Sequence, residues 1–148
     1  MKKTLKKIAA MVLVGCCLGG QCAFAASVPS AFSNEGTYDG VTYRFAGSSS
    51  VSTTRGGSET SAARQRPDGG FAYDVSCYVS TTFMYRELYS GVASTETGWR
   101  SGNGGTSVYF VTPSNVEGSK NYSGVSTNGS HSALLENGSL SNSTYKGM

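Results

Sequence analysis

The stretch FAYDVSCYVSTTFMYRELY, residues 71–89, decides the fold. Its odd positions read Phe71, Tyr73, Val75, Cys77, Val79, Thr81, Phe83 and Tyr85. Its even positions begin Ala72, Asp74, Ser76, Tyr78, Ser80 and Thr82. Apolar side chains at every second residue mark a strand with one face in a core and the other in water. The odd face is the inward one, and Cys77 sits on it as a small hydrophobe. At ~3.3 Å per residue the whole run would reach ~60 Å, so a bend is expected near Ser80-Thr81-Thr82. A helix over residues 83–89 has only Met84 and Leu88, four apart, in its favour.

Outward from this strand, the chain is punctuated by turn signals. Upstream, Asp39-Gly40 suits a type I′ hairpin turn, whose two central residues both need φ > 0. Val41, Tyr43 and Phe45 alternate with Thr42 and Arg44, giving a half-buried strand. Residues 49–54 read as a further strand, and Arg55-Gly56-Gly57 as a tight turn. Residues 58–66 fit either a short helix capped by Ser58 or an edge strand, ended by the turn Pro67-Asp68-Gly69-Gly70. Downstream, residues 94–106 (STETGWRSGNGGT) read as a polar, Gly-rich loop holding Trp99. Residues 107–112 form a strand stopped by Pro113, and residues 115–123 a second polar loop. Asn128-Gly129 and Asn137-Gly138 both suit two-residue turns, which makes the tail a three-stranded meander with Leu135 facing Leu140 and Glu136 facing Ser139. Short strands with frequent turns predict an all-β domain, a small antiparallel β-sandwich or partly open barrel. One such domain is expected over residues 35–148, with residues 26–34 as a flexible lead-in.

The first 25 residues read as a secretory signal peptide. A basic start with Lys2, Lys3, Lys6 and Lys7 precedes an apolar run over residues 8–18, and Ala23-Phe24-Ala25 supplies an A-x-A cleavage site. The apolar run is too short to span a bilayer. Within it, Leu13-Val14-Gly15-Cys16 resembles a lipobox, so lipid anchoring on the cell surface through Cys16 is the alternative to free secretion. Cleavage after Ala25 removes Cys16, Cys17 and Cys22 and leaves only Cys77, so the mature chain can form no internal disulfide. It also removes four lysines, leaving eight basic residues against nine acidic ones. That balance argues against a nucleic-acid partner. No second apolar stretch predicts insertion in a membrane, and the mature form is expected to be a monomer.

The chemistry-bearing residues are few. His131 is the sole histidine, flanked by Ser130 and Ser132, which on a strand point opposite to it. No G-x-S-x-G is present, and no one of Asp39, Asp68 and Asp74 is singled out as a triad carboxylate. A Cys77–His131 dyad is disfavoured by the inward setting of Cys77. A small secreted hydrolase using His131 is therefore the weakest reading. His131 is expected to pack on or beside a sheet, with His131→Ala costing ~0.5–1.5 kcal/mol. No zinc or calcium pattern is present, and no cofactor is implied. Arg55, Arg64 and Arg66, interspersed with Glu59 and Asp68, read as a mixed-charge surface. Trp99-Arg100, set among Ser, Gly and Asn, is the candidate ligand-binding pair for a glycan, peptide or cell-wall precursor. The alternative is that Trp99 folds back over the end of the core.

Glu35-Gly36-Thr37-Tyr38 and Ser130-His131-Ser132-Ala133, in a Ser/Thr/Asn-rich β pattern, resemble small secreted β-sandwich proteins of Gram-positive bacteria, the lactococcin 972-like bacteriocins. That family tends to carry Trp where this chain has Tyr38. The resemblance implies a secreted antibacterial protein that acts at the envelope of competing cells without a cofactor. The residues themselves give a secreted, non-enzymatic protein that binds an extracellular or cell-envelope ligand.

Overall fold

A computed structural model of the chain describes residues 28–113 and 121–148. The expected signal peptide with its lipobox, and residues 115–120 of the expected second loop, lie outside them. The described residues form an all-β structure of two antiparallel sheets packed face to face. The first sheet holds β1 (Ala31–Tyr38), β2 (Val41–Val51), β3 (Arg55–Gln65), β4 (Phe71–Ala72) and β7 (Gly105–Val111). The second runs in the order β6 (Ala93–Asn103), β5 (Ser76–Glu87), β8 (Tyr122–Leu135), β9 (Gly138–Gly147).

The deciding stretch behaves as its period requires from Val75 onward. Val75, Cys77, Val79, Thr81 and Phe83 are all buried. Its N-terminal part does not keep the phase: the chain breaks after β4, and Tyr73 is exposed while Ala72 is buried. The irregularity falls between Met84 and Tyr85, as a register shift against β8, rather than at residues 80–82. Beyond it the chain stays extended to Glu87, so no helix forms. Asp39 (φ 49°) and Gly40 (φ 82°) make the expected type I′ turn between β1 and β2.

Several expectations are corrected. β1 begins at Ala31, inside the expected lead-in, because its backbone pairs with β2 from Ala31–Ser48 to Tyr38–Val41 and Phe32 packs on Phe45. Residues 55–65 are neither turn nor helix nor edge strand. β3 lies inside its sheet, bonded to β2 on one side and to β7 and β4 on the other. The reversal before it sits at residues 52–54, where the Ser52 amide donates to the Arg55 carbonyl at 2.8 Å. Residues 94–106 are not a loop: β6 pairs with β5 along its whole length, and only Gly104 (φ 74°) turns the chain from one sheet into the other. Inward positions of β6 include Gly98 and Gly102, where an added Cβ would meet the Phe110 ring and the Gly105 carbonyl. An apolar period cannot show through positions that are emptied to admit a neighbour. Asn128-Gly129 is not a turn but mid-strand in β8, and the second polar loop has given way to that strand by Tyr122. The final hairpin turns on Glu136-Asn137, so Leu135 pairs with Gly138, and it is Ala133 that faces Leu140.

The interior has two halves. One is apolar: Tyr43, Phe45, Ala62, Val75, Cys77 and Ala133 form a buried cluster, joined by the half-buried Phe32, Val41, Leu135 and Leu140. The other is lined by Ser49, Ser58, Thr60, Thr81, Thr127, His131 and Thr144, all buried. Arg64 of β3, opposite Tyr43 and Ala72 and partly exposed, makes a two-pronged pair with Asp74 at 2.9 and 2.7 Å.

Candidate functional site

The outer face of the second sheet follows from register alone. Because neighbouring side chains on one face sit opposite each other across strands, three rows can be read from β6 to β9. The middle row is Trp99, Ser80, Ser130 and Ser143. On one side lies the row Thr97, Thr82, Asn128 and Tyr145, and on the other Ser101, Tyr78, Ser132 and Ser141. None of the twelve is charged, and none is buried. Small hydroxyls dominate, and Thr82 and Thr97 bond each other at 3.2 Å.

Trp99 does not fold back over the core. It stands 68% exposed and stacks on the Tyr78 ring, diagonal to it across β5 and β6, with centroids 5.7 Å apart and planes 25° apart. Two flat rings thus lie side by side in a field of hydroxyls. Arg100 follows Trp99 on β6, opposite Val79, and alternation sends it toward the other face of the sheet. The structure therefore separates the two residues that the sequence places together. Tyr78 and the hydroxyl rows are the partners that sequence reading missed. Their signal was the even phase of β5, which reads as solvent face and nothing more.

His131 lies between the sheets, 2% exposed. Its Nδ1 is 2.6 Å from the Thr60 hydroxyl and its Nε2 is 2.7 Å from the Thr144 hydroxyl. Thr144 continues to Ser49 at 2.6 Å, and Ser49 to Ser58 at 2.8 Å. The chain of bonds joins β3, β8, β9 and β2, and so ties the two sheets. Burial holds the imidazole neutral and lowers its pKa from 6.5 to about 4. Phe32 contacts the ring edge-on at 5.4 Å. Gly47 and Gly129 flank it, and a Cβ at either would fall within 2.7 Å of the ring or of the serine hydroxyls. Ser130 and Ser132 face outward, as alternation requires. Two hydrogen-bond partners and a place between two glycines raise the expected cost of losing His131 above that of an ordinary substitution.

Cys77 is buried and free, its thiol 3.4 Å from the Gly102 carbonyl, and burial raises its pKa. Among the described residues no three His, Cys, Asp or Glu side chains come together as a metal set, and no helix is long and apolar enough to cross a membrane. Comparison of the chain with protein-family models, with curated proteins and with solved structures finds no match.

Proposed function

We propose that the chain is a secreted, non-enzymatic β-sandwich protein that acts by binding at the cell envelope or outside the cell. The observation that supports this reading is the Trp99–Tyr78 pair, held exposed on a rigid four-stranded sheet. An indole in water exposes a large apolar area, and stable monomers usually bury theirs. Rings held in place by a sheet lose little freedom on binding, which favours recognition. Export is supported by the basic start, the apolar run and the A-x-A site.

Two measurements test the reading. Mass spectrometry of the exported protein is expected to place its N-terminus at Ala26 or Ser27; a diacylated Cys16 in the membrane fraction would instead make it a lipoprotein. Capture from cell-envelope fractions is expected with the wild-type chain and lost with Trp99→Ala. Equal capture by both would remove the face from the mechanism.

A further inference from the structure

We infer that the outer face of the second sheet takes a neutral polysaccharide, with a sugar ring stacked on the Trp99–Tyr78 pair and its hydroxyls bonded along the serine and threonine rows. The inference rests on the binding role proposed above and names the ligand class.

Three features of the face carry it. A sugar ring has an apolar C–H side and an equatorial rim of hydroxyls. The exposed indole of Trp99 matches the first. The rim matches short hydroxyls such as Ser80, Ser130 and Ser143, which both donate and accept. The second feature is charge. None of the twelve residues in the three rows bears one. Phosphate, sulfate and carboxylate groups would lose water there and gain no ion pair, so nucleic acids and acidic glycans are disfavoured. A neutral chain loses nothing of this kind. The third is shape. Two depressions, of about 620 Å³ and 370 Å³, lie elsewhere, one over the first sheet beside Gly47 and Thr60 and the other between Tyr38 and Leu135. This face spans roughly 14 Å across four strands and roughly 13 Å along three rows. A face of that extent gives an extended polymer a run of contacts, whereas a small molecule is ordinarily held in a pocket.

Trp99 is the sole tryptophan of the chain, so its emission reports directly on the proposed contact. The exported protein is titrated with hydroxyethyl cellulose, soluble mannan and chitohexaose, and with polygalacturonate as the anionic comparison. Native affinity electrophoresis in the same polymers gives a second readout. At least one neutral glycan is expected to shift the emission to shorter wavelength. Trp99→Ala is expected to weaken retardation roughly tenfold. Ser130→Glu, which puts a charge mid-face and leaves the rings in place, is expected to weaken it as well. Tyr89→Ser, an exposed ring in the turn after β5, is expected to leave it unchanged. The inference is overturned if no neutral glycan moves either readout, if polygalacturonate binds as well as they do, or if Trp99→Ala binds like wild type. Envelope capture that is lost in Trp99→Ala while no glycan binds would keep the face and discard the ligand class. Glycan binding that is lost in Trp99→Ala, with envelope capture indifferent to that change, would keep the inference and discard envelope capture through this face.

Discussion

Around Phe45 the space between the sheets is filled by Tyr43, Ala62, Val75, Cys77 and Ala133; around His131 it is filled by Ser49, Ser58, Thr60 and Thr144. The two ends of one interior are thus held by different forces. At the apolar end stability comes from area removed from water, which has no direction and little dependence on pH. At the other end Val79 and Phe83 are buried as well, but most of the lining is small hydroxyls that remove little apolar area, and each must find a partner or cost stability. Glycine does the packing there. Gly47 and Gly129 let the sheets close on the imidazole, and Gly56 admits the Phe83 ring. Even so, the Thr81 and Thr127 hydroxyls have no hydrogen-bond partner among the described residues. The polar end therefore owes its stability to geometry, and it is the end that acid should find first.

The largest effect is expected at the apolar end. Phe45→Ala should cost about 3–5 kcal/mol in urea unfolding, and should do so equally at pH 7 and pH 5. His131→Ala should cost about 2–4 kcal/mol, because it opens a cavity and strips Thr60 of its partner. A loss under 1 kcal/mol would show that the hydroxyl chain contributes little.

Acid separates the two ends further. The His131 pKa falls from 6.5 to about 4 on folding. Between those values the unfolded chain binds the proton and the folded chain does not, so stability falls as pH falls. The loss should reach roughly 2–3 kcal/mol by pH 4 and flatten below it. A His131→Leu variant should lack this step; its persistence would assign the acid sensitivity to other groups.

Cys77→Ala, one small side chain in the apolar cluster, should cost about 1 kcal/mol. The native thiol should resist a bulky disulfide reagent that labels the denatured chain at once, and fast native labelling would refute its burial. The smallest effect belongs outside both ends: Trp99→Ala should change stability by no more than ~0.5 kcal/mol. A larger loss would mean that the indole supports the fold rather than a ligand.

The same contrast explains what could be read from sequence. The apolar end announces itself, since Val75 and Cys77 alternate with Asp74 and Ser76, and the inward thiol follows directly. The Asp39-Gly40 turn is legible because its backbone needs φ > 0 at both positions. The polar end is silent. Ser49 keeps the inward phase of Tyr43 and Phe45 along β2, and Ser58 and Thr60 keep that of Ala62 along β3, yet their composition reads as surface. Following the phase past Phe45 into residues 47–51 would have found Ser49, and hydrophobicity alone could not. Gly129 misleads more actively: beside Asn128 it mimics a hairpin turn, whereas the structure uses it for close approach of the Ser49 and Ser58 hydroxyls. Trp99 was visible as a residue, but its partner Tyr78 and the rows around it exist only once β6 is laid beside β5 in register.

The bonded row from Thr60 through His131, Thr144 and Ser49 to Ser58 is also a row of dipoles. Each hydroxyl has one proton to give, and neutral imidazole gives one and accepts one. If Nδ1 carries the ring proton, it donates to Thr60, and every later O–H points back toward the ring. If Nε2 carries it, it donates to Thr144, and the O–H groups of Thr144 and Ser49 point away toward Ser58. The tautomer of one ring thus sets the direction of the whole row, and no member can reverse alone without leaving two protons or two lone pairs facing each other. The interior holds a single orientational choice shared by both sheets, written in the 15N shifts of His131.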